Sequence, residues 1–302
     1  MSTVLETTGL GKRYGGTWAL RDCTLRLPAG RVAALVGPNG AGKTTLLHLA
    51  VGLLRPDAGT VQVLGRTPAA DSGLLTRIGF VAQDSPLYPD FTVPDLLKMG
   101  QKLNQRWDSE FASARLERLR IPFDRKVGKL SGGQRAQVAL ALALAKRPEF
   151  LLLDEPVASL DPLARREFLQ ALMGGVADDG TTVLLSSHLV ADLERVCDYL
   201  IVLQESRVQV LGSVDDLLAE HQVLIGPRRA AAQASPAGVA SVIRESHTDK
   251  QSTLLVRTNG PILDPAWTTR DLSLEDLVLA YLADPSAGVL PGPSPLGMDL
   301  TS

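Results

Sequence analysis

A run of apolar residues, Val32-Ala33-Ala34-Leu35-Val36, leads directly into Gly37-Pro38-Asn39-Gly40-Ala41-Gly42-Lys43-Thr44-Thr45. No other feature of the chain restricts its fold as much. The run reads as a buried strand, the glycines as a loop, and the residues from about Gly42 onward as a helix. In that strand, loop and helix context the spacing G-x-x-x-x-G-K-[ST] marks a phosphate-binding loop. Glycines without Cβ let successive backbone N–H groups converge on phosphate oxygens, and the helix start adds partial positive charge. Lys43 is placed to reach the β and γ phosphates of a nucleotide, and Thr44 to offer its hydroxyl to Mg²⁺. Thr45 either joins the phosphate contacts or caps the helix.

The acid that such a loop needs stands at Phe150-Leu151-Leu152-Leu153-Asp154-Glu155-Pro156. Four apolar residues in succession suit a parallel strand buried on both faces. Ligands of open α/β sheets collect at the carboxyl ends of such strands, where Asp154 and Glu155 emerge. Asp154 is expected to hold the Mg²⁺ shell through water, and Glu155, pointing differently, to take a proton from an attacking water.

A second glycine-rich stretch, Leu130-Ser131-Gly132-Gly133-Gln134, resembles the signature motif of the ATP-binding cassette (ABC) ATPases. Further matches follow in that family's order. Tyr14 stands in Lys12-Arg13-Tyr14-Gly15-Gly16 where the adenine-stacking aromatic belongs, and Gln83 in Phe80-Val81-Ala82-Gln83-Asp84 at the Q-loop. Ser159-Leu160-Asp161 matches the D-loop, and His188 in Ser186-Ser187-His188 the switch histidine. The resemblance spans roughly residues 4 to 220. It implies an α/β P-loop NTPase core with an antiparallel β subdomain and a helical signature subdomain over about 84–147.

The resemblance also implies a mechanism and partners. Glu155, His188, Gln83 and Lys43 would be catalytic, and Thr44, Gln83 and Asp154 would serve Mg²⁺. ATP would lie on Tyr14 and on Gly37, Pro38, Asn39, Gly40, Ala41, Gly42, Lys43, Thr44 and Thr45. Its γ-phosphate would be contacted by the Ser131, Gly132, Gly133, Gln134 and Asp161 segments of a second ATPase protomer, identical or not. A separate transmembrane permease subunit would carry the transport path, with this chain peripheral on the cytoplasmic face of the membrane. Tyr88, Pro89 and Phe91 are candidates for the surface that receives a coupling helix of that subunit. The short helical subdomain favours export over import. The competing reading is a soluble ABC ATPase working on ribosomes or DNA; such relatives carry two cassettes or a long coiled-coil insertion, and this chain has neither.

Taken singly, several of these residues have plainer roles. Tyr14 among glycines also suits a turn, and Asp161 before Pro162 is the pattern of a helix N-cap. Arg135 to Ala145 is a strong helix former, apolar nearly all round, and so reads as buried. One position departs from the family: Gln137 stands where Arg is common.

Composition bounds the remainder. With 302 residues, 45% of them hydrophobic, the chain can bury a large core in one or two domains. A net charge of −2 without a basic stripe argues against nucleic acid as a direct partner. Cys23 and Cys197 lack metal spacing and read as buried thiols, and His48, His188, His221 and His247 make no zinc pattern. No secretory leader and no stretch of ~18 apolar residues is found. The expected organisation is an ATPase domain over 1–221, a small α+β accessory domain over 222–283, and a disordered proline-containing tail over 284–302. Within the accessory part, strands are expected at Val223–Ile225 and Leu254–Arg257 and a helix at Leu274–Tyr281 with Ser273 near its cap.

Overall fold

The structure is a computed structural model that describes residues 2–176, 180–191, 193–228 and 236–284. The apolar run before the glycine loop becomes β3 (Val32–Val36), an interior strand of a six-stranded sheet. Its neighbours are β7 (Thr182–Ser187) and β8 (Tyr199–Gln204), both parallel to it. Beyond β7 come β6 (Phe150–Leu153) and then β5 (Ile78–Val81), also parallel, while β9 (Arg207–Ser213) closes the other edge antiparallel to β8.

Because successive side chains of a strand face opposite ways, β3 feeds two cores. Ala33 and Leu35 join Phe150, Leu152, Leu184 and Ile201 on one face. Ala34 and Val36 join Leu151, Leu153, Val183 and Leu185 on the other. A strand buried on both faces cannot alternate polar and apolar residues, which is why the sequence shows continuous apolar runs here.

The first face is covered by helix α1 (Lys43–Ala50) and by an antiparallel sheet of β1 (Thr3–Tyr14), β2 (Thr17–Pro28) and β4 (Ala58–Val63), in the order β2-β1-β4. The second face is covered by α4 (Gly132–Ala145) and α5 (Pro162–Val176). Helix α4 also packs with α2 (Val93–Leu103) and α3 (Ser109–Arg118) in a separate cluster around Leu96, Leu116, Val138 and Ala141. Facing both clusters, α4 has few exposed positions, as its composition requires.

Past β9, helix α6 (Val214–Ala219) leads into a four-stranded antiparallel sheet ordered β11-β12-β10-β13, built from β10 (His221–Pro227), β11 (Val239–His247), β12 (Gln251–Thr258) and β13 (Thr268–Arg270). Helix α7 (Leu274–Ala283) follows, with Ser273 Oγ accepting from Asp276 N at 3.0 Å. Ser213 occupies the cap position of α6, but its side chain makes no capping bond, and His221 opens β10. Strands β11 and β13 were not anticipated; β13 is short and fully exposed, and β11 buries only Ile243 fully. Both therefore lack the apolar pattern that marks a strand. The proline-containing tail lies outside the described residues.

Candidate active site

Parallel strands in register deliver their carboxyl ends to one edge. Val36 pairs with Ser187, and Leu153 with both Leu185 and Val81. The residues that follow these ends are Gly37, His188, Asp154 and Ala82, so the glycine loop, the switch histidine, the acids and the Q-loop converge for a topological reason. Tyr14, Asn39, Gly40, Gly42, Lys43, Thr44, Thr45, Gln83, Glu155 and His188 line one cleft of ≈510 Å³, together with Ala19 and Ala158.

The loop requires its glycines at three places, the first being Gly37, where a Cβ would lie 2.4 Å from Leu203 O. Gly40 (φ +83°) and Gly42 (φ +104°) are left-handed, and a Cβ on Gly42 would sit 2.6 Å from Leu20 Cδ2. The Lys43 ammonium is held inside the loop, donating to the carbonyls of Gly37 at 2.8 Å and Pro38 at 3.3 Å. It also pairs with Glu155 Oε1 at 3.2 Å, both side chains being more than nine-tenths buried. His188 Nδ1 meets the other carboxylate oxygen, Oε2, at 2.8 Å. Thus Glu155 is gripped at both oxygens, and its backbone at φ +46° is unusual for a residue with a side chain.

Asp154 is 1% exposed. Its Oδ1 accepts from Ser186 Oγ at 2.8 Å, whereas Oδ2 is buried without a protein partner. Ser186 Oγ in turn accepts from the Glu155 N–H at 2.8 Å. In the sequence Ser186 is only a neighbour of His188, a hydroxyl two residues before it; its place beside β6 comes from the pairing of β6 with β7.

None of the signature residues lines the Lys43 cleft, although Gly132 shares a neighbouring pocket with Glu155 and Ser159. Ser131 caps α4 in a capping box, its Oγ accepting from Gln134 N (3.2 Å) while Gln134 Oε1 accepts from Ser131 N (3.0 Å). Gly133 packs near α5, where an added Cβ would meet Ala164 Cβ at 3.1 Å. Asp161 Oδ1 accepts from the N–H groups of Leu163 and Ala164, both at 3.0 Å, as an N-cap does. Gln137 is buried and its Oε1 has no partner. Cys23 and Cys197 are both free and buried, and burial pushes their thiols up to about 11 and about 12. Tyr14 is half exposed at the cleft rim, free to offer a ring face.

Among the described residues no group of three or more His, Cys, Asp or Glu is placed to hold a metal, and no helix is long and apolar enough to cross a membrane. The family model for ABC transporters matches residues 20–158. Nod factor export ATP-binding protein I of Burkholderia lata is 38% identical over 220 residues, 71% of this chain and 72% of that protein. Daunorubicin resistance ATP-binding protein DrrA3 of Streptomyces coeruleorubidus is 36% identical over 228 residues, 72% of this chain and 71% of that protein. Among solved structures, the dimeric bacterial ABC transporter cassette MJ0796 superposes with a TM-score of 0.62 at 27% identity, covering 70% of this chain and 98% of that one. The chain belongs to the ATP-binding subunits of ABC transporters and is an ATPase.

Proposed function

We propose that the cleft binds Mg²⁺-ATP and hydrolyses it between two protomers, driving export through a separate membrane subunit. The observation that carries the assignment of the chemistry is Glu155, held at the end of β6 between Lys43 and His188. Adenine stacks on Tyr14, and the triphosphate lies along the N–H groups from Asn39 to Thr45 at the start of α1. Phosphate oxygens then replace Glu155 as the partner of Lys43, which releases the carboxylate to orient and deprotonate water together with Gln83. His188 contacts the γ-phosphate. Positioning and charge stabilisation account for most of the acceleration, with about 10²–10⁴ from the base itself.

The residues fit a magnesium ion. Asp154 keeps a buried carboxylate oxygen without a protein partner and Thr44 offers its hydroxyl to the cleft; these hard oxygens, with Gln83, would hold Mg²⁺. When bound, it neutralises charge that develops on the β and γ phosphates.

A second protomer gives Ser131–Gln134, which do not line this chain's own Lys43 cleft, a phosphate to contact. The capped start of α4 presents N–H groups outward, a surface suited to an anion, and the anion is the γ-phosphate on the partner. The cassette relative MJ0796 is described as dimeric. For the membrane subunit, an apolar groove of ≈490 Å³ between the Q-loop and the helical subdomain, lined by Phe80, Leu96, Met99, Leu103, Trp107 and Leu142, suits a short amphipathic helix. Tyr88 and Phe91, which the sequence suggested for this surface, are exposed and stacked on one another with centroids 5.0 Å apart. Export is favoured because relatives such as the Nod factor protein are named for it. The chain would then lie peripherally on the cytoplasmic face.

Glu155→Gln tests this reading. The variant is expected to keep ATP binding, to lose phosphate release by about 10²-fold or more, and to elute as an ATP-dependent dimer. Lys43→Ala is expected to lose ATP binding. A Gln variant that turns over at the wild-type rate, or stays monomeric with ATP and the membrane partner present, overturns it.

A further inference from the structure

We infer that Ser186 is a positioning residue of this ATPase: its one hydroxyl ties the metal-side acid and the catalytic acid to each other. The inference rests on the proposed roles of Asp154 and Glu155. Three observations carry it. Ser186 is fully buried near the end of β7. Its Oγ donates to Asp154 Oδ1 at 2.8 Å. The same oxygen accepts from the Glu155 N–H at 2.8 Å.

A hydroxyl has one proton and two lone pairs, so it can make both bonds at once. The directions are fixed by the partners, because a carboxylate oxygen can only accept and a backbone N–H can only donate. Each bond acts on a different acid. The bond to Oδ1 holds the Asp154 carboxylate so that Oδ2, buried and without a protein partner, is the oxygen left for a cation's shell. The bond from the Glu155 N–H holds the peptide that connects the two acids while Glu155 sits at φ +46°. That left-handed backbone sends the Glu155 side chain toward Lys43 and His188, whereas Asp154 points into the protein. An unfavourable backbone conformation persists only where its surroundings specify it, and this hydrogen bond is the contact that does so at the Glu155 N–H. Losing a group that orients a metal-ligating carboxylate typically costs about 10–100-fold in metal affinity or activity.

The test compares Ser186→Thr with Ser186→Val, which have the same shape and differ by the hydroxyl. Both β-branched residues suit a strand. Two measurements are made on each purified full chain: ATP turnover, and equilibrium binding of a fluorescent ATP analogue with Mg²⁺ or with EDTA. Ser186→Thr should retain both. Ser186→Val should lose about 10-fold or more in kcat with little change in the KM for ATP, and should lose most of the extra nucleotide affinity that Mg²⁺ confers. Thr181→Val removes another buried hydroxyl, which donates to Pro148 O at 2.9 Å just before the same strand, and reports the cost of a lost hydrogen bond without contact to the acids. If the Ser186→Val chain does not fold, Ser186→Ala is measured instead, at a temperature where it and the Thr181→Val chain are both folded. Ser186→Val or Ser186→Ala turnover and Mg²⁺ response equal to those of wild type, or a defect that Ser186→Thr shares in full, overturns the inference. A wild-type chain with turnover that Glu155→Gln does not affect overturns the underlying reading instead, so the two failures are distinct.

Discussion

At the residue scale, single groups here are decided by what surrounds them rather than by their type. Gly42 is one. Its φ of +104° is poorly tolerated by any side chain, and an added Cβ would strike Leu20 and the Ala19 carbonyl. Gly42→Ala should therefore lose nucleotide binding by displacing the loop, an outcome that titration with a fluorescent ATP analogue reads directly; binding within twofold of wild type would show that the loop tolerates the change. His221 is another. It is 1% exposed, with Nδ1 donating to Leu217 O at 2.6 Å and Nε2 accepting from the Tyr281 hydroxyl at 2.8 Å. Burial pushes its pKa below the ordinary 6.5, with the carbonyl bond opposing that shift. The unfolded chain thus takes up a proton at a pH where the folded chain does not. Stability is fully present above about pH 6.5 and declines as pH falls toward the lowered native value. Thermal unfolding should show a Tm that drops between pH 7 and pH 5, and His221→Gln should flatten that slope even where it lowers the Tm overall. An unchanged slope in the variant would assign the acid sensitivity to other groups.

At the element scale, legibility followed burial. β6 is read from Phe150–Leu153 without a residue of error. Strand ends carry the site, so the phosphate loop and the two acids were legible from loop chemistry, whereas Tyr14, Gln83 and His188 were placed by the family resemblance. What was not legible was anything set by contacts between distant segments. Ser186 is an unremarkable hydroxyl in sequence; it matters because β7 lies beside β6. The same is true of Gln209, buried on β9. Its Nε2 donates to the carbonyls of Tyr281 at 2.9 Å and Asp284 at 3.1 Å, satisfying the end of α7 from another element. Gln209→Leu removes the donor and keeps the approximate volume, depriving the Tyr281 carbonyl of its Gln209 bond. It should cost about 1–3 kcal/mol in urea unfolding, with Gln204, which donates to Leu282 O at 3.2 Å, retaining part of the cap. A cost below a few tenths would mean that water reaches that helix end.

At the scale of the whole molecule, the question is whether the part after residue 221 stands as a unit of its own. Its sheet has a small apolar cluster, Leu224, Leu254 and Val256, on one side. The residues of α7 do not belong to it. Leu274, Leu277, Val278 and Tyr281 are essentially inaccessible and share one continuous cluster with Leu200, Val202 and Val210 of the ATPase sheet and with Val214 and Leu217 of α6. Burial of four such side chains contributes roughly 1.5–3 kcal/mol each, a sum comparable to the ~5–15 kcal/mol by which a whole domain is stable. We therefore predict that a chain ending at residue 221 exposes this face and unfolds at least about 5 °C below the full chain or aggregates. Leu277→Asp in the intact chain should do the same by placing a carboxylate in that cluster. The measurement is thermal unfolding of ATPase-domain signal in both proteins. A truncated chain with the full chain's Tm and a single sharp transition would show that α7 covers the sheet without stabilising it, and that the C-terminal part is a separable attachment to the ATPase.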